Sequence, residues 1–181
     1  MFREMRRKRQ QLTPDECSAI LRGASSGVLA VLGDGGYPYA VPLSFVYDGD
    51  RIYFHCAREG HKLDAVRRES RASFCVIDRD EVVPERYTTR YRSVIAFGRV
   101  RVIEDDGEKR AAIEKLALKY SPDEPEQARE AEIESGWAAL CMLEMSIEHL
   151  SGKQGRELLP GGCRGRARQN IRQDPPGSRD V

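Results

Sequence analysis

The sequence predicts a mainly β domain with flanking helices, in which six antiparallel strands curl into a small barrel. Three observations lead there. Apolar runs of strand length recur along the chain, and turn signals such as "DGGY" and "DGD" separate them. Helical periodicity is confined to a few short stretches. A six-stranded sheet also leaves exposed edges, which curling into a barrel removes.

In chain order, "LTPDECSAILRGA" opens the fold as a helix. Thr13 is its N-cap, Pro14 its first helical residue, Glu16 the partner in a capping box, and Gly23 its end. "GVLAVLG", "PYAVPLSFVY" and "RIYFHC" follow as a meander of three strands. Pro42 lies inside the second run and cannot donate to a ladder, so it marks an edge, a bulge or a departure from pairing. A short helix, about Lys62 to Glu69, precedes a fourth strand, "RASFCVID". "RDEVVPERYTTR" reads as a polar loop, whose Tyr87, with Tyr91 and Arg92 just beyond, is a candidate pocket wall. "YRSVIAFGRVRVIED" is a long fifth strand with apolar residues on both faces, Val94 and Ala96 opposite Ile95 and Phe97. "DGEKRAAIEKLALKY" has its apolar residues near one helical stripe, and a polar helix is expected over Glu126 to Ser135. The last strand alternates, with Cys141, Leu143, Met145 and Ile147 on one face and Met142, Glu144, Ser146 and Glu148 on the other, which predicts half-burial. Residues 1–160 thus form one domain, and 161–181, rich in Gly, Arg and Pro, read as a flexible tail.

A chain of 181 residues can hold one real core. Its net charge of +1 argues against non-specific nucleic-acid binding, which needs a large basic excess. No apolar run reaches membrane-spanning length, and the basic N-terminus lacks the apolar segment of a signal peptide, so a cytoplasmic protein is expected. The five cysteines are odd in number and none are spaced CxxC, which predicts neither a disulfide framework nor a metal site.

The stretch with most chemistry is "FHCAREGHKLDAV", which begins as a strand and ends as a helix. It holds two of the three histidines, His55 and His61; the third, His149, reads as structural. Gly60 lets the backbone turn, and the helix start that follows offers free N–H groups to an anion, a phosphate above all. Arg58, His61 and Lys62 add charged donors, and a solvated basic turn is the alternative.

The order of this stretch after "PYAVPLSFVY", followed by "YRSVIAFG" and a late "LSGK", resembles the FMN-binding split β-barrels of the pyridoxamine 5'-phosphate oxidase-like superfamily. Within it, the chain is most similar to the nitroimidazole-resistance (Nim-type) branch. The resemblance implies a six-stranded antiparallel split barrel, FMN (or FAD) as cofactor, and a homodimer with the flavin at its interface. It implies a flavin-dependent oxidoreductase acting on a small molecule such as a nitroaromatic compound; a non-catalytic flavin- or haem-binding module is the alternative. Carried over residue by residue, His61 and Lys62 hold the phosphate, and backbone groups of Val41, Pro42, Leu43, Ser44 and Phe45 face the flavin ring. His55, Cys56 and Ala57 run beside the ribityl chain, Ser93 matches a position that reaches the flavin, and Lys153 lies close to it. His55 is the implied catalytic side chain. Two departures speak against pyridoxamine phosphate as substrate: Val41 stands where the oxidases carry a phosphate-binding arginine, and the C-terminal segment has no tryptophan, the only one being Trp137.

Overall fold

A computed structural model describes residues 2–159. The expected tail, 161–181, lies outside the described residues, as does Cys163.

The capping box forms as read. Thr13 Oγ1 accepts the Glu16 N–H at 3.3 Å, and Glu16 Oε2 accepts the Thr13 N–H at 2.7 Å. It starts helix α1 (Pro14–Gly23), which buries Cys17, Ile20 and Leu21; Ala24, not Gly23, is the C-cap. Strands β1 (Ser26–Leu32), β2 (Pro38–Ser44), β3 (Val46–Asp48) and β4 (Arg51–Ala57) follow, then helix α2 (His61–Arg68). Strands β5 (Arg71–Val83) and β6 (Thr88–Val102) lead to helices α3 (Asp106–Tyr120) and α4 (Glu126–Gly136), and strand β7 (Leu140–Gln154) ends the sheet.

Among the described residues the sheet has seven strands, not six, and every ladder is antiparallel, in the order β2-β1-β5-β6-β7-β4-β3. The run expected as one second strand breaks at Phe45. Its first half pairs with β1 at one edge of the sheet and its second half with β4 at the other. The two edges are therefore one residue apart along the chain, so the sheet must curl upon itself. It does not close by hydrogen bonds, because β2 and β4 lie side by side without a ladder. Pro42 is tolerated because β2 is an edge strand.

Phe45 is fully buried, with its ring against Phe74 (centroids 4.8 Å apart), which in turn meets Phe54 at 5.0 Å. Its backbone groups lie outside both ladders, and burial without partners would be costly. The C-terminal end of α3 supplies the partners. Tyr120 Oη accepts the Phe45 N–H at 2.8 Å and contacts the Ser25 carbonyl. Lys119 Nζ donates to the carbonyls of Phe45 (2.9 Å) and Ala24 (2.6 Å) and lies 4.0 Å from the Phe45 ring centroid. Burial lowers the pKa of the Lys119 ammonium.

Two further expectations change. The polar loop of residues 79–90 is mostly strand: β5 and β6 run on past a bulge between Ile77 and Arg79 as a two-stranded arm with Tyr87 near its tip, at φ 50°. β7 is buried on both faces from Cys141 to Met145, because α3 covers the face expected to be exposed. Where β6 bulges between Phe97 and Gly98, a side chain at Gly98 would meet the Ser146 carbonyl, so only glycine fits there.

Tyr120→Phe is expected to lower stability by about 1–3 kcal/mol in urea unfolding, because it leaves the buried Phe45 N–H without an acceptor.

Candidate functional site

The split between β2 and β4 brings most of the sequence-predicted residues together. β2 forms one wall. Alternation turns Val41 and Leu43 onto the core and Pro42 and Ser44 outward, so a ligand in the split meets this strand through its unpaired backbone edge. Both backbone polar groups of Phe45 are already engaged by α3.

The end of β4 forms the other wall. His55 is exposed there, and with Ser44, Cys56 and Ala57 it lines a cavity of about 520 Å³ between the barrel and the two helices α3 and α4. The opposite side of the cavity is apolar, contributed by Ile113, Leu116, Ala117 and Ile133, with Glu132 and Tyr120 as polar additions. Among the described residues, no lysine or arginine lines it. The sequence reading missed these helical residues: Ile113 and Leu116 look the same whether a helix packs on a sheet or bridges a gap beside it.

β4 turns into α2 at Gly60, whose φ of 127° suits glycine, and no side chain caps the helix. His61 stacks on Tyr39 (centroids 4.3 Å, 18° between planes), and its Nε2 lies 3.4 Å from Asp34 Oδ2. Asp34 also accepts from Arg68 Nη1 at 3.1 Å, so this carboxylate ties α2 to the turn between β1 and β2. The pairing could not be read from the sequence, where Asp34 is only a turn residue. Lys62 is half-buried and forms no ion pair among the described residues.

Ser93 and Lys153 lie elsewhere. They face each other across the β6–β7 ladder, eleven residues along β7 from Met142, the partner of His55. That is up to about 36 Å of extended strand. Lys153 Nζ lies 5.5 Å from the Tyr91 ring centroid. Tyr87 is almost fully exposed on the arm, and Arg92 pairs with Asp78, so neither lines the cavity. His149 stacks under Phe2 at 4.6 Å, a packing role.

Cys56 stands directly opposite Cys141 across the β4–β7 ladder. Burial, and then the Cys141 thiol beside it, push the Cys56 pKa up to about 12, while Lys62 and Arg67 pull the other way.

A curled antiparallel sheet with its crossing strand and a cleft at the crossing defines a split-barrel protein. The chain belongs to the pyridoxamine 5'-phosphate oxidase family, whose sequence profile matches residues 13–154. Solved structures share the fold. One is a proposed 5-nitroimidazole antibiotic resistance protein from Bacteroides thetaiotaomicron, 23% identical over 80% of this chain and 86% of that one, with a TM-score of 0.68. Another is an FAD-binding protein from Mesorhizobium loti, 25% identical over 81% and 97%, with a TM-score of 0.59. A third, the FAD and haem binding protein from Mycobacterium smegmatis, is 24% identical over 83% and 76%, with a TM-score of 0.68. No curated protein matches the chain. Among the described residues no helix is long and apolar enough to cross a membrane, and no group of three or more His, Cys, Asp or Glu is placed to hold a metal.

The Cys56 thiol is protonated at neutral pH, so its alkylation by iodoacetamide is expected to be slow. The rate should rise about tenfold per pH unit up to roughly pH 10, as the thiolate fraction grows. Peptide mapping across a pH series reads this directly, and a fast, pH-independent rate would contradict the raised pKa of Cys56.

Proposed function

We propose that the protein binds a flavin, FMN in the first place and FAD as the alternative, along the cleft between β2 and β4, and acts as an oxidoreductase on small uncharged aromatic compounds of the nitroaromatic kind. The observation that carries this reading is the cleft's polarity along its length. At one end Lys62 and the uncapped start of α2 offer a cation and free N–H groups. At the other, His55 stands at an apolar cavity. The β2 edge between Tyr39, under His61, and Ser44, in the cavity wall, spans five residues, or about 16 Å. An elongated ligand with a phosphate at one end and an aromatic ring at the other fits that pattern.

When bound, the flavin supplies the electron chemistry. The chain's own groups do the rest. Lys62 neutralises the phosphate, and the unpaired edge of β2 offers hydrogen bonds to the ring. His61, held by Tyr39 and Asp34, orients the turn rather than adding a free charge. The apolar wall from α3 and α4 suits an aromatic ring, and His55 stands beside it as the group that would exchange a proton with the substrate. With Glu132 as the carboxylate in the lining and no cation there, the cavity disfavours a phosphorylated substrate such as pyridoxamine phosphate.

The reading includes a homodimer with the flavin at its interface. Directly opposed residues form rows across the outer sheet face: the small or apolar Pro42, Val28, Cys75, Ile95 and Ser151 in one, and Ile77, Ser93 and the cationic Lys153 in the next. A second copy covering this face would bring its Ser93 and Lys153, remote from His55 within one chain, toward the cleft. Light scattering is expected to give a dimer, and Ile95→Asp a monomer; a wild-type monomer with fully bound flavin would remove the interface from the proposal.

Flavin titration tests the site itself. Lys62→Ala is expected to weaken flavin binding by about 1.5–3 kcal/mol, roughly ten- to a hundredfold. His55→Ala should retain flavin and lose most NAD(P)H-dependent reduction of a nitroaromatic acceptor. Wild-type protein that takes up no flavin overturns the proposal, and full turnover in His55→Ala removes the role of His55.

A further inference from the structure

We propose that Cys56 and Cys141 are a redox-active pair that closes into a cross-strand disulfide at the cavity end of β4. The two residues are directly opposed in a ladder that runs without a bulge from Arg51–Ser146 to Ala57–Leu140. Opposed residues of an antiparallel pair have Cα atoms about 4.5–5.5 Å apart, inside the range that a disulfide spans without moving the backbone. Both thiols are free, and the Cys141 thiol stands close enough to Cys56 to raise its pKa. The other described cysteines lack such a partner: Cys17 is buried in the core against Gly152, and Cys75 stands opposite Val28 and Ile95 on the outer face.

Each residue also borders its own opening. Cys56 is in the wall of the large cavity, while Cys141 lines a separate small cleft with Arg58, Arg67 and Lys109, where Glu104 and Asp106 also stand. Cys56 is the more accessible of the two, since Cys141 is 8% exposed. A small-molecule disulfide entering the cavity is therefore attacked first by the Cys56 thiolate. Its S–S bond breaks, a mixed disulfide forms on Cys56, and the first thiol leaves with a proton. Cys141 then attacks the Cys56 sulfur and releases the second thiol. The pair loses two electrons and two protons, and the small disulfide becomes two thiols. Burial keeps the first step slow at neutral pH. This chemistry needs no flavin and stands apart from the proposed activity.

The test uses the full chain, folded, in glutathione buffers poised from reducing to oxidising, read by intact mass and non-reducing peptide maps. The wild type is expected to lose two hydrogens and yield one cross-linked peptide containing Cys56 and Cys141. Cys141→Ser should instead accumulate one stable glutathione on Cys56. Cys56→Ser should leave Cys141 unmodified. A wild type that keeps both thiols in the most oxidising buffer, that holds glutathione on Cys56 with Cys141 present, or that cross-links only in urea overturns the proposal.

Discussion

The crossing at Phe45 is the constraint on which the rest of the architecture depends. One residue separates the two edges of a seven-stranded sheet, so the sheet has to curl until β2 and β4 lie side by side. A residue that leaves both ladders inside a core would strand two backbone polar groups. Lys119 and Tyr120 resolve this from the end of α3, and in doing so they bind that helix to the barrel beside the split. The same interaction thus closes the core, positions α3, and leaves the cavity between α3 and His55. The site is a consequence of how the barrel fails to close.

A second set of polar contacts holds the opposite flank. Glu144 is 4% exposed, yet its carboxylate accepts from Arg51 Nη1 at 3.1 Å and from Arg101 Nε at 3.0 Å. These residues sit on three neighbouring strands, β4, β7 and β6: Arg101 is directly opposite Glu144, and Arg51 is diagonal to it, opposite Ser146. A buried carboxylate without such partners would cost several kcal/mol. With them it ties together the three strands that carry His55 and the Cys56–Cys141 pair.

Charge is distributed with the same economy of means along the cleft. Asp34 engages two neighbouring side chains, His61 and Arg68, and fastens α2 to the turn between β1 and β2. Lys62 is left without an ion pair among the described residues, at a helix start that has no side-chain cap. A cation freed in this way by its neighbours is better placed to meet an anionic ligand than one already paired.

The sequence by itself determined whatever depends on neighbours along the chain. The capping box of Thr13 and Glu16, the turn at Gly60, the bounds of α3 and the antiparallel strands were legible because capping, φ preference and periodicity act over a few residues. The run around "FHCAREGHK", with its companion segments, also carried the family likeness. The tertiary structure alone decided what depends on residues far apart. It split the second strand at Phe45, because partners 74 and 75 positions away satisfy the backbone there. It buried Met142 and Glu144 by laying α3 over a face that alternation marks as exposed. It paired His61 with Asp34, opposed Cys56 to Cys141, and drew Ser93 and Lys153 away from His55. Register and long-range packing are set by the whole sheet at once, and no local pattern encodes them.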